Sequence, residues 1–273
     1  MMKIISICPS NTELLAYAGL IDSVAGVDDF SDWPESIQQL PRLGPDLDIN
    51  MDKLEDLKPD LVYASLSVPG MEKNIEQMKE RNIPYTIVEN PETLTDIGYI
   101  LENICRDAGS PEKGRELKNA FLRFIDKYHT LSSRVEYKKR IYWEWWPKPI
   151  FTPGKKNWLT EMGELAGAVN IFNDVDQASV QTTWEEVLHR DPDYILAAWV
   201  GVRKNKVNPK VIRKRPGWSE MKAVREDQIH ILEEPYYCRP SPRLLIGLAE
   251  AAYLLHPDIF PEPDGKEDTI LNI

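Results

Sequence analysis

One stretch of the chain is written twice. TWEEVLHRDPDYILAA (183–198) lies over NMDKLEDLKPDLVYAS (50–65) without a gap, so that Asp52 meets Glu185, Leu54 meets Val187 and Pro59-Asp60 meets Pro192-Asp193. A second match in the same order sets TEMGELAGA (160–168) over TELLAYAGL (12–20); the spacings are 133 and 148 residues. Two matches in one order predict two lobes of a single design.

Each lobe has the grammar of a parallel sheet. KIISIC (3–8) is a short apolar run, Ser10-Asn11-Thr12-Glu13 reads as a capping box ahead of the periodic LLAYAGL, and Gly19 closes that helix before SVAGV returns to a strand. NMDKLEDLKPDLVYAS and IEQMKERNIPYTIVE (75–89) repeat helix then strand. Such alternation builds βα units on parallel strands. Between the halves, Ser110-Pro111-Glu112 opens a helix whose apolar face (Leu117, Phe121, Phe124, Ile125, Tyr128, Leu131) persists to about Val135. Roughly 25 helical residues span about 37 Å, the width of a small domain. The expected fold is therefore α/β, with two lobes, each a mainly parallel sheet flanked by helices, joined by one long bridging helix. The expected divisions are 1–109, 110–136 for the bridging helix, 137–261, and a loosely held Pro-rich acidic tail over 262–273.

Charge and chemistry narrow the function. The chain carries 44 Asp and Glu against 33 Lys and Arg, a balance that argues against nucleic acid as a partner. The one basic run, RKNKVNPKVIRKR (203–215), reads as a solvated loop and helix face. Cys8, Cys105 and Cys238 are isolated and read as reduced thiols. No apolar run approaches the roughly 20 residues of a membrane span, and MMKIISICPS has neither a secretory h-region nor a lipobox ahead of Cys8. As written, the chain reads as cytoplasmic, or as extracytoplasmic if its true start lies upstream. The four histidines, His129, His189, His230 and His256, have no ligand spacing, and no metal site is expected. GxSxG, Walker and dinucleotide-turn motifs are missing, so no catalytic residue is assigned. A lone acid such as Glu144 is more often an ion-pairing group than a base.

Ligands of open α/β sheets bind beyond the carboxyl ends of the strands. The segments expected there are DDFSDWP (28–34), Ala64 to Ser67 with Ser65 at the exit, WEWWPKP (143–149), AAWVG (197–201) and EEPYYCRPSPR (233–243). They supply Phe30, Trp33, Trp145, Trp146, Trp199, Tyr236 and Tyr237. Trp143 and Trp199, inside apolar runs, read mainly as core, although Trp199 stands at a strand exit; Trp146, Tyr236 and Tyr237, flanked by proline and charge, read as cleft wall. Each aromatic buries roughly 150–250 Å², which suits a large, flat, partly apolar ligand. Glu144 and Arg239 are the candidate polar anchors.

IISICPSNTELLAYAGL, VAGVDDFSDWP, NMDKLEDLKPDLVYA, IFTPGKKNW, ELAGAVNIF, TWEEVLHRDPDYI and YYCRPSPRL together resemble the substrate-binding proteins of ABC importers for cobalamin, siderophores and haem. These have the class III periplasmic-binding fold, the helical-backbone metal receptors. The EW-x-P (144–147) and RP-x-PR (239–243) words are similar to those of a leaderless cobalamin-binding-like subgroup. The resemblance implies a monomeric, non-catalytic protein with no covalent cofactor, holding cobalamin or a similar metal chelate between its lobes, with an ABC permease as a partner. It implies that Phe30, Trp145, Tyr236 and Tyr237 form the ligand wall, with Ser65 where cobalamin binders often present a tryptophan. It also implies that Asp52 and Glu185 dock on permease arginines, although acids inside a first turn after the caps Asn50 and Thr183 are equally what helix physics favours. The alternatives are a haem or ferric-siderophore binder and a cytoplasmic enzyme or chaperone acting on a tetrapyrrole with Glu144 as acid or base.

Overall fold

The computed structural model describes residues 2–264. The part of the expected tail over 265–273 lies outside the described residues. The chain forms two compact units, one running to Asn90 and again over Ile97–Asn119, the other comprising Pro91–Asp96 and the chain from Ala120 onward.

In the first unit β1 (Ile4–Ser6), α1 (Pro9–Tyr17), β2 (Val24–Val27), α2 (Met51–Asp56), β3 (Leu61–Ser65), α3 (Glu72–Glu80) and β4 (Tyr85–Val88) follow one another. Their strands pair in the order β2-β1-β3-β4, all parallel. The apolar runs of β1 and β3 are buried, Ile5, Val62 and Ala64 packing with Leu43, Leu54 and Met78. Then come α4 (Leu94–Asp107), whose first turn belongs to the second unit, and α5 (Pro111–Ser132), which starts in the first unit and ends in the second. α5 is the long helix expected from Ser110, and its Leu117, Phe121, Ile125 and Tyr128 are buried.

The second unit contains β5 (Lys139–Glu144), β6 (Trp146–Pro147), β7 (Ile150–Pro153), α6 (Trp158–Leu165), β8 (Ala168–Asn170), β9 (Ser179–Thr182), α7 (Trp184–Arg190) and β10 (Tyr194–Ala197). It continues through α8 (Pro209–Arg213), α9 (Lys222–Arg225), β11 (Ile229–Ile231), α10 (Pro235–Cys238) and α11 (Leu244–Leu255). Its main sheet has the order β8-β5-β10-β11, again all parallel. Numbered within each unit, both sheets read 2-1-3-4, so the repeat in the sequence is a repeat of topology. The small antiparallel sheet β6-β7-β9 has no counterpart among the described residues of the first unit and was not foreshadowed by the sequence.

The repeated Pro-Asp pair has one job in both places. Asp60 accepts the Lys3 backbone N–H on its carboxylate (2.6 Å) and donates its own N–H to the Lys3 carbonyl (2.9 Å). Asp193 does the same to Arg140, at 2.8 and 2.7 Å. Each aspartate thus fixes the start of the central strand of its sheet. Asn50 and Thr183 cap α2 and α7 as expected, accepting from the N–H groups of Lys53 (3.0 Å) and Glu186 (3.2 Å).

The start of α1 departs from the expected box. Cys8 is the N-cap and Pro9 the first helical residue, because a proline without an N–H fits the N1 position. Ser10 to Glu13 therefore lie inside the helix and are buried. The helix closes where expected: Gly19, at φ 74°, gives its N–H to the Ala16 carbonyl, and Leu20 to that of Leu15, a Schellman pair. Its repeat partner Gly167 stands at φ 73°. Gly19→Ala is expected to cost about 1–2 kcal/mol in urea unfolding, and Gly167→Ala more, because an added Cβ would stand 2.6 Å from Val135 Cγ2 where at Gly19 it meets only the movable Lys113 Nζ.

Candidate functional site

At the carboxyl end of the second sheet, β5 delivers Glu144 and β10 runs on into Trp199. Glu144 is fully buried, and its carboxylate is saturated. One oxygen accepts from Trp199 Nε1 (3.0 Å) and Arg215 Nη2 (2.8 Å), the other from the Tyr142 hydroxyl (3.0 Å) and Arg215 Nη1. A carboxylate offers about four acceptor positions, and all four are taken. Arg215 lies over the Trp218 ring (4.5 Å) and near that of Trp184 (5.7 Å). Burial, with the Glu144 charge beside it, pushes the Tyr142 phenol well above its usual range. Glu144 is thus an internal ion-pairing group, with neither a lone pair for a ligand nor access for catalysis; the sequence-based reading of it as a polar anchor is corrected here. The reading of Arg215 as part of a solvated face is corrected with it, for that side chain is 3% exposed.

Around this clip the mouth is held by backbone. Trp145 donates its N–H to the Phe151 carbonyl (2.9 Å) and accepts from the Val200 N–H (3.1 Å); its ring is half-buried against Trp158 (5.7 Å). Trp146 stands out at 40% exposure with its indole N–H on the Lys148 carbonyl (2.9 Å), and Val200, bonded to the Trp145 carbonyl, is exposed too. Tyr236 and Tyr237, expected on the wall, lie inside. Tyr237 is fully buried, donates to the Gly247 carbonyl (3.0 Å) and packs on Trp143, while Tyr236 lies under the Arg243 guanidinium (5.0 Å). Helix α11 draws both rings inward: Gly247 approaches the Tyr236 backbone so closely that a Cβ would stand 2.2 Å from its carbonyl oxygen. Arg239 is taken up by Glu234 through Nε (3.1 Å) and Nη2 (2.9 Å). Trp199, as read, is partly buried on the core.

The first mouth is built on Asp28. Its Oδ1 accepts the N–H groups of Phe30 (2.8 Å) and Ser31 (3.0 Å), a turn that pushes Phe30 outward to 49% exposure. Trp33 instead stacks on Tyr17 (5.3 Å). Ser65 is buried and spends its hydroxyl on the Ser67 N–H (3.1 Å) and hydroxyl (2.9 Å), leaving Leu66 as the exposed apolar residue of that exit. Leu47 and Val68 are exposed in the same group of loops, Leu47 Cδ2 lying 3.6 Å from where a Cβ on Gly70 would be. The mouths therefore present Phe30, Leu47, Leu66 and Val68 in one unit and Trp146 and Val200 in the other. The aliphatic members were not picked out from the sequence; their signal was apolar residues inside Pro-, Gly- and Ser-bearing loops (PDLD, LSVPG, WVG).

Asp28 also ends a buried chain of oxygens. Asp28 Oδ2 to Ser31 Oγ is 2.5 Å, Ser31 to Thr12 2.7 Å, Thr12 to Ser6 2.8 Å, and Ser6 to the Cys8 carbonyl 3.3 Å. Ser31 donates to Asp28 in this chain, so the carboxyl receives hydrogen bonds from the Ser31 hydroxyl and from the backbone N–H groups of Phe30 and Ser31. Burial, against the hydrogen bonds from Ser31 and Phe30, raises Asp28 from 3.8 to about 6. An acid with a raised folded-state pKa binds protons more tightly folded than unfolded, so its contribution to stability is present below about pH 4 and lost as pH rises to about 6. Asp28→Asn, which has no charge to bury, is expected to remove that slope and to gain up to about 3 kcal/mol at neutral pH. Urea unfolding at pH 4, 5, 6 and 7 would test this, an unchanged slope in the variant counting against it.

Two units with identical 2-1-3-4 parallel sheets, apolar side chains at the strand mouths and the mouth carboxylate locked in an ion pair define a solute-binding protein of the two-unit α/β type. The chain belongs to the periplasmic binding protein family, whose pattern it matches over residues 4–236. It is 32% identical over 266 residues to the ABC transporter substrate-binding lipoprotein YvrC of Bacillus subtilis, covering 95% of this chain and 82% of that one. It is 30% identical over 254 residues to a vitamin B12-binding protein of Vibrio cholerae, covering 93% and 88%. Among solved structures it resembles the periplasmic vitamin B12 binding protein BtuF of Vibrio cholerae (TM-score 0.75, 26% identity, covering 93% and 96%). A periplasmic heme-binding protein from Roseiflexus, 21% identical with TM-score 0.82 and covering 94% and 98%, shares the fold.

Proposed function

We propose that the chain is a non-catalytic binding protein for a corrinoid or a closely related metal chelate, working with an ABC-type importer. The observation that carries this reading is the exposure of Phe30 at the first mouth and Trp146 at the second, each held outward by hydrogen bonds of its own loop. Solvent-exposed rings on fixed loops are what a large, partly apolar ligand requires. Catalysis finds no support in Glu144, which is sealed. The identity to the B12-binding relatives points the same way.

Between a corrinoid and haem, the outward-facing side chains favour the corrinoid. Haem iron is held by His, Cys, Met or Tyr. Among the described residues of the two mouths none of these faces out: Met71, Tyr236 and Tyr237 are buried, and the Cys238 thiol donates to the Ala198 carbonyl (3.2 Å). Native mass spectrometry of protein purified from its own host tests the reading. A co-purified cobalt corrinoid is expected, and a co-purified haem or ferric chelate would replace it.

Permease docking through Asp52 and Glu185 is part of the same proposal. Glu185 is exposed after the Thr183 cap, while Asp52, 83% exposed, is met by Arg81 at 2.6 Å. An exposed pair is screened by water and contributes little, so Arg81 yields Asp52 readily to another guanidinium. Glu185→Lys is expected to abolish stimulation of permease ATPase activity while leaving ligand affinity unchanged. Undiminished stimulation would remove Glu185 from the docking surface.

A further inference from the structure

The basic run over 203–215 is the part of the sequence that the binding function leaves unused. From Trp199 to Ser219 there is no acidic residue, in a chain of net charge −11. The segment is fixed in place: Val207 and Ile212 are buried, Arg213 is paired with Asp227, and Arg215 with Glu144. With those residues buried or paired, Arg203, Lys206, Lys210 and Lys214 are exposed, and among the described residues none of the four has a carboxylate within salt-bridge distance. Lys204 stands 3.8 Å from Glu233 and is partly neutralised. Between Lys210 and Lys214 the side chain of Val211 is 52% exposed.

We infer that this segment is a contact surface for an anionic lipid membrane. Cations spread along an outward-facing segment, with an apolar side chain among them, fit a planar field of charge with a shallow apolar layer beneath it. A single phosphate would call for donors gathered around one point, whereas the four cations are spread along the chain from Arg203 to Lys214 and α8 is only five residues long. The overall negative charge does not prevent the contact. At physiological ionic strength charges are screened over about 8 Å, so a surface meeting this segment is governed by the cations it touches.

Co-sedimentation of the full chain with phosphatidylglycerol-containing vesicles, against pure phosphatidylcholine vesicles, tests the inference. Binding is expected to the first and not the second, and to fall as salt is raised. Each cation removed should lower partition roughly fivefold, so Lys210→Gln with Lys214→Gln should lower it roughly 25-fold. These exposed substitutions should leave the urea midpoint unchanged. Val211→Ser should lower partition further with no change in its salt dependence. Equal binding to both vesicles, no binding to either, or full binding by the double variant would overturn the inference. Displacement by inorganic phosphate with one-to-one saturation would overturn it too, by marking a discrete anion site.

Discussion

Arg215→Ala is expected to destabilise the second unit by about 3–5 kcal/mol, read as the shift of its urea unfolding curve. Removing one member of a buried ion pair leaves the other charged and unsolvated, and that cost exceeds the net contribution of the intact pair. Here the stranded group would be Glu144, fully buried and left with only Trp199 Nε1 and the Tyr142 hydroxyl as donors. Glu144→Ala should cost a similar amount by stranding the guanidinium between Trp184 and Trp218. The double variant should recover part of the loss, since both charges are then gone. Recovery would be incomplete, because Tyr142 and Trp199 lose their acceptor. A Glu144 that served a ligand would behave differently: its substitution would weaken binding and leave the unfolding curve in place.

Phe30→Ala and Trp146→Ala should show the opposite split. Both side chains are substantially exposed, so each variant should unfold within about 0.5 kcal/mol of the parent. Each should weaken ligand binding by about 2–4 kcal/mol, roughly 30- to 1,000-fold, as expected for an aromatic anchor at the centre of a contact. The double variant should bind too weakly to detect at micromolar concentration. Leu66→Ser and Val200→Ser, at the same mouths, should each weaken binding less, because their apolar area is smaller.

What could be read in the sequence was local or repeated. The caps Asn50 and Thr183 announce themselves by residue type and position. The Pro-Asp pairs at 59–60 and 192–193 were visible because they occur twice, and both turn out to fix a central strand. α5 was visible as an apolar stripe behind a proline. What could not be read was set by partners far along the chain. Glu144 and Arg215 are 71 residues apart, and nothing near either names the other; the only hint is that Arg215 ends its basic run against Pro216, Gly217 and Trp218. Tyr237 looks like a wall residue from its prolines and charges, yet the carbonyl of Gly247 and the ring of Trp143 claim it for the core. Ser10 looked like a cap, but Cys8 is the cap and Pro9 starts the helix two residues sooner. Phe30 and Trp146 face outward as a result of turn chemistry within a few residues, through Asp28 and Lys148, and for that reason the sequence located them.

The central claim is that exposed aromatic rings at the sheet mouths hold a corrinoid. Titration of the purified chain with cobalamin, followed by the visible bands of the ligand and by tryptophan fluorescence, tests it most directly when the parent is run beside Phe30→Ala with Trp146→Ala. The account predicts a band shift and saturable quenching in the parent, both lost in the double variant while its unfolding curve is unchanged. Quenching in the parent no greater than that of free tryptophan at the same absorbance would contradict it, as would undiminished binding by the double variant.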